Sequence, residues 1–74
     1  MPKLPNLKGG EVVAALKKDG WFEQRQRGSH LHMRNDKKKG YVVVPMHSKT
    51  IPPGTLRSII RQANLTVDEF LELL

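Results

Sequence analysis

The sequence predicts an α+β fold, with three short strands in one antiparallel sheet and helices flanking it. Three observations carry this. Apolar residues recur at helical spacing near the start (Val12, Val13, Ala15, Leu16) and again near the end (Leu56, Ile59, Ile60, Ala63). Between these stripes lie short alternating or β-branched runs, too brief for helices. Glycine- and lysine-rich connections separate those runs at hairpin length, which makes the pairing antiparallel.

The chain is expected to begin as a loose arm over residues 1–8, because Pro2 and Pro5 obstruct regular structure. The first helix is expected over residues 10–19, with Lys17 and Lys18 suiting its negative C-terminal end. Gly20 is placed to close it in the left-handed conformation. The first strand is expected over 21–26, with Arg27-Gly28 as the turn. The second runs over 30–34, alternating so that Leu31 and Met33 face one way and His30, His32 and Arg34 the other. Residues 35–40 form a polar hairpin connection. The third strand covers 41–44, and Pro45 is expected to end it.

A loop then leads to a second helix over 54–63, with Pro53 fitting its first turn and Asn64 its C-terminal stop. Thr66-Val67-Asp68-Glu69 has the form of a capping box for a short last helix within 66–74. Its stripe of Val67, Phe70, Leu71 and Leu74 is expected to pack on its own domain. A three-stranded sheet needs a covering layer, so the two longer helices should share one face and leave the other open. His30, His32 and Arg34 are expected on the open face.

Seventy-four residues allow one domain, here expected over 1–74, with one small core that buries only about 60% of the unfolded surface. No cysteine is present, which excludes disulfides and cysteine-ligated zinc. No apolar run reaches membrane-spanning length and the start lacks a signal-peptide core, so a cytoplasmic protein without membrane contact is expected. All thirteen Lys and Arg fall in residues 1–61 against four acids, whereas Asp68, Glu69 and Glu72 follow with no base. A body this basic suits a polyanion such as nucleic acid.

The stretch Arg25-Gln26-Arg27-Gly28-Ser29-His30 delivers a histidine from a tight glycine turn into cationic surroundings. Histidine holds or releases a proton near neutrality. Metal-free RNA cleavage needs a base for the 2′-hydroxyl proton, an acid for the leaving oxygen, and cations for the phosphorus. His30 can be the base or the acid, and Arg25, Arg27 and Arg34 can be the cations. On local grounds alone, a polar residue after a turn is the simpler account of His30. His32 is either a second proton-transfer group or an ordinary exposed residue. Ser29 has no carboxylate nearby to complete a triad, so it is expected to shape the turn or bind phosphate. Lys37, Lys38 and Lys39 form a basic tip, either merely solvated or drawn to phosphate without sequence preference. Trp21 is expected in the core, whereas Tyr41 is open to either a packing or a base-stacking role. No acid has an obvious place beside His30, His32 and His47, so neither a metal site nor a cofactor is expected; His47 is expected to hold the loop after the third strand.

Gly20-Trp21, Arg25-Gln26-Arg27-Gly28-Ser29-His30, Val43-Val44-Pro45-Met46-His47 and the run from Pro53-Gly54-Thr55-Leu56 to Gln62-Ala63 together resemble the HicA toxins, in order and spacing. The resemblance covers the chain from about Gly10 onward. It implies a fold like the double-stranded-RNA-binding domain, mRNA interferase activity and a catalytic histidine at His30. It also implies neutralisation by a HicB-type antitoxin; the free toxin is expected to be monomeric. The alternatives are a non-catalytic RNA-binding module of the same fold and a small scaffold that acts only in protein complexes.

Overall fold

The computed structural model describes residues 3–74. Its elements are α1 (Gly9–Lys18), β1 (Trp21–Arg27), β2 (His30–Asn35), β3 (Val42–Pro45), α2 (Pro53–Gln62) and α3 (Val67–Glu72). The strands form one antiparallel sheet in the order β1-β2-β3. Leu31 and Met33 of β2 pair with Val44 and Val42 of β3, and all four are buried. Against them pack Val12, Val13, Ala15 and Leu16 of α1 and Leu56, Ile59 and Ile60 of α2. This is the expected α+β architecture, like the double-stranded-RNA-binding domain, with the longer helices on one face. Trp21, the largest core side chain, is 2% exposed.

Element ends follow local chemistry. At the start of α1 the Glu11 carboxylate accepts the Lys8 backbone N–H at 3.0 Å. The helix begins one residue earlier than expected, at Gly9, which lies against the end of β3. A Cβ there would meet the Pro45 carbonyl oxygen and the Met46 Sδ, so only glycine allows this approach. Gly20, at φ +95°, closes α1 as anticipated. Asn64, at φ +56°, does the same for α2, where the Leu65 N–H reaches the Ile60 carbonyl at 3.1 Å.

The third strand is displaced by one residue from its expected range. Tyr41 precedes it and Pro45 lies inside it. The Met46 N–H donates to the Ser29 carbonyl, so the preceding residue, Pro45, turns its nitrogen away from the ladder. On an edge strand that position needs no donor. The equivalent outward N–H two residues earlier, on Val43, donates to Gln62 Oε1 of α2 at 3.4 Å. The free edge of β3 is thereby blunted.

α3 starts in the anticipated box: Thr66 Oγ1 accepts the Glu69 N–H at 3.1 Å, and Glu69 Oε1 accepts the Thr66 N–H at 2.8 Å. These bonds, the backbone one foremost, hold the Glu69 carboxyl below its ordinary range. The cap is therefore fully made above the ordinary carboxylate range and is lost as pH falls through the lowered value. Phe70 is fully buried, whereas Leu74 remains exposed. Residues 3–8 have no regular secondary structure, yet Leu7 is in the core and its carbonyl accepts the Ile51 N–H at 2.7 Å. Met1 and Pro2, part of the same expected arm, lie outside the described residues.

A polar knot ties the ends of four elements together. Asp19 Oδ2 accepts from Lys38 Nζ at 2.7 Å and from Trp21 Nε1 at 3.2 Å. Lys38 Nζ also donates to the Ala63 carbonyl at the end of α2, at 2.9 Å. Asn35 Nδ2 donates to the Asp19 carbonyl at 3.0 Å, and its Oδ1 accepts the Lys37 N–H at 2.9 Å. Replacing Lys38 with Met should keep the side-chain length but lose both charge-assisted bonds, costing about 1.5–3 kcal/mol. Gly9→Ala should cost about 1–3 kcal/mol through overpacking. Urea unfolding checks both. A Lys38→Met protein as stable as the parent would show that the two Lys38 bonds contribute nothing.

Candidate functional site

The site is built by the pairing of β1 with β2. Phe22 pairs with Arg34 and Glu23 with Met33, but Arg25 pairs with His32, leaving Gln24 as an extra residue. This is a β-bulge, which puts two residues of one strand opposite one of the other. A regular ladder counted from Trp21 would set Arg25 opposite the buried Leu31. The bulge instead sets Arg25 opposite His32 and Arg27 opposite His30. Directly paired residues share a face, with Cβ atoms about 4.5–5.5 Å apart. Two arginine–histidine pairs therefore lie side by side on the face turned away from the helices.

The hairpin that joins the two strands has only Gly28 and Ser29 between the paired Arg27 and His30. Gly28 has φ +56° and Ser29 has no positive φ, the pattern of a type II′ turn. Gln26 Nε2 donates to the Gly28 carbonyl at 3.0 Å, and the Ser29 carbonyl accepts the Met46 N–H. The turn is thus fixed from both sides, and it sets His30 at the first position of β2. The His30, Arg25 and Arg27 residues are all exposed.

Arg34 is held more tightly. Its Nε donates to Gln24 Oε1 at 3.2 Å and its Nη1 to the Gly40 carbonyl at 3.2 Å. Its guanidinium carbon lies 5.2 Å from the Tyr41 ring centroid, a cation–π distance. The half-buried His32 ring lies 5.8 Å from the same ring, tilted by 32°. Gln24, Arg25, His32, Arg34 and Tyr41 line a shallow cleft of about 490 Å³. The one carboxylate of the paired strands, Glu23, pairs with Met33 on the helix side and bridges Lys17 of α1 at 2.7 Å. The open face is left with cations and imidazoles, a field suited to phosphate.

The structure brings Arg25, Arg27, His30, His32 and Arg34 onto one face, with Ser29 at its turn. It does not bring the three lysines there. They follow Asn35, at the far end of β2, about 17 Å from His30 by strand rise. Lys38 is spent in the knot with Asp19 and Ala63, whereas Lys37 and Lys39 are exposed. His47 is exposed in the loop after β3. Among the described residues, no group of three or more His, Cys, Asp or Glu side chains is arranged to hold a metal ion.

Two site features escaped the sequence reading. The first is the bulge. A hint existed, since strict alternation from Trp21 places Arg25 and Arg27 on the core side, where neither charge can be buried. The second is the partnership of Gln24 and Tyr41 with Arg34, which depends on tertiary pairing and leaves no mark in the spacing.

A small basic α+β domain with a helix-covered sheet and a cationic, histidine-bearing open face is of the double-stranded-RNA-binding-domain-like class. Residues 9–65 match the family model described as the HicA toxin of bacterial toxin–antitoxin systems. The chain belongs to that family and is a toxin of a toxin–antitoxin pair. No curated protein matches it significantly. Among the described residues, no helix is long and apolar enough to cross a membrane.

Because Arg25, Arg27 and His30 are exposed, alanine at any of them should change the unfolding free energy by no more than about 0.5 kcal/mol. Urea unfolding of the three variants checks this. A loss several times larger would show that these side chains hold the sheet together rather than face a ligand.

Proposed function

We propose that this toxin is a metal-independent endoribonuclease, an mRNA interferase, held inactive by a HicB-type antitoxin in the cytoplasm. The observation that carries the reading is the bulge-built face, with Arg27 opposite His30 and Arg25 opposite His32. A phosphodiester lying across the hairpin end would have the His30 imidazole and the Arg27 guanidinium on adjacent strands. His30 takes the proton of the substrate's 2′-hydroxyl as that oxygen bonds to phosphorus. The bond from phosphorus to the 5′-oxygen breaks, and the leaving oxygen takes a proton from water. Arg27 and Arg25 stabilise the charge that accumulates on the phosphoryl oxygens, in the forked geometry guanidinium favours. The products are a cyclic phosphate, open to hydrolysis to a 3′-phosphate, and a 5′-hydroxyl. DNA lacks the nucleophile and is bound without being cut. The free toxin acts as a monomer, a reading supported by one chain supplying both histidines and the paired arginines.

Purified protein with a defined mRNA in excess chelator should cleave it, and His30→Ala should lower the rate by about 10²–10⁴-fold while RNA binding is retained. The same substitution should relieve growth arrest when the toxin is expressed alone. Equal cleavage by both proteins would favour a different residue. Binding without cleavage by the parent would favour a non-catalytic RNA-binding module. A 5′-phosphate product, or activity abolished by chelator and restored by one metal, would move the histidines to metal ligation.

Affinity for RNA should fall steeply with salt, with log K linear in log salt concentration. Arg25→Ala and Arg27→Ala should each reduce that slope by about 0.7 for a single strand. Lys37→Ala and Lys39→Ala should weaken binding uniformly across sequences, through lost positive charge beyond the far end of β2. An affinity unchanged between low and moderate salt would contradict an electrostatic interface.

A further inference from the structure

We infer that the cleft beside Tyr41 is a nucleobase subsite that selects guanine next to the cleaved phosphate. The inference rests on the ribonuclease reading for its purpose, but its geometry stands apart from His30. The cleft begins at His32, two residues further along β2, about 6.6 Å by strand rise. That is within reach of a base whose phosphate lies at the hairpin end.

Tyr41 provides the stacking surface. It is 52% exposed although both Arg34 and His32 lean on it. An aromatic ring left half in water among cations is poor packing but a good platform for a base. The anchoring of Arg34 matters equally. Its contacts to Gln24 and the Gly40 carbonyl fix the guanidinium beside the ring before any ligand arrives. No binding entropy is then spent on ordering it.

The hydrogen-bonding groups of the cleft favour a base with adjacent acceptors. Arginine only donates, so the bond from Arg34 Nε takes one lone pair of the Gln24 side-chain oxygen and leaves the Gln24 amide group free to donate. Arg34 retains Nη2, and Arg25 adds a second guanidinium to the lining of the cleft. The cleft is thus rich in donors beside a stacking ring. Guanine presents two adjacent acceptors, O6 and N7, whereas adenine presents a donor at N6 in place of one of them. In a single strand that edge is free to be read.

The test uses fluorescein-labelled hexanucleotides that are 2′-O-methylated throughout, in a cytidine background with one central G, A or U, and an all-cytidine control. They cannot be cleaved, so binding is read independently of catalysis, by anisotropy at low salt. The G oligonucleotide should bind about 5- to 100-fold tighter than the other three, which is about 1–3 kcal/mol at tenfold per 1.4 kcal/mol. Tyr41→Ala should weaken the G oligonucleotide by a similar factor. Tyr41→Phe should retain the preference, and the emission of Trp21, the sole tryptophan and buried in the core, should show that each variant is folded. Equal binding of all four bases, a preference for A or U, or a G preference untouched by Tyr41→Ala would overturn the proposal. Failure of the parent to cleave ordinary RNA would sink the ribonuclease reading alone, because the methylated probes report the subsite either way.

Discussion

One extra residue in β1 determines what this sheet can do. The bulge at Gln24 changes which residues of the strand face water, because side chains alternate strictly and a one-residue offset moves each to the other side. With it, Arg25 and Arg27 stand opposite the two histidines of β2. Without it, a strand of the same sequence paired from Trp21 would aim Arg25 at the buried Leu31. The core and the site therefore impose the same demand: the register that keeps the arginines out of the core is the one that groups them with His30 and His32. The Gly28-Ser29 turn secures that register from the other end, since a two-residue loop leaves no slack for a slip.

The far end of the sheet is organised for stability. Asp19, Trp21, Asn35, Lys38 and the carbonyl of Ala63, just past α2, share a connected set of hydrogen bonds. The knot joins the end of α1, the start of β1, the end of β2 and the end of α2. A chain of this length has little apolar surface to bury, so hydrogen bonds that tie its element ends together matter more to it. The division of labour explains why Lys38 differs from its neighbours. It has become an internal tie, while Lys37 and Lys39 remain at the surface.

Most of the fold was legible in the sequence because its signals are local. Apolar stripes in α1 and α2, alternation in β2, the capping box of α3 and the glycine and asparagine stops each depend on residues close in the chain. What escaped depends on distant meetings. Pro45 could join β3 only because that strand lies at an edge with its nitrogen outward. Gly9 had to be glycine only because α1 starts against the carbonyl of Pro45. The site divides the same way. His30 and its turn are a local motif, whereas the placement of Arg25, the anchoring of Arg34 by Gln24 and the exposed Tyr41 follow from strand pairing.

The mechanism proposed for this toxin stands on one role: His30, on an arginine-lined face, moves the proton of the substrate's own 2′-hydroxyl. It is tested most directly by locating the cleaved bond in an RNA oligonucleotide, then placing a single 2′-O-methyl group on the nucleotide 5′ to that bond. Cleavage there should stop while binding is unchanged, with chelator present throughout. Continued cleavage at the blocked position would mean that water, and not the 2′-oxygen, attacks the phosphorus, and the role assigned to His30 would be wrong.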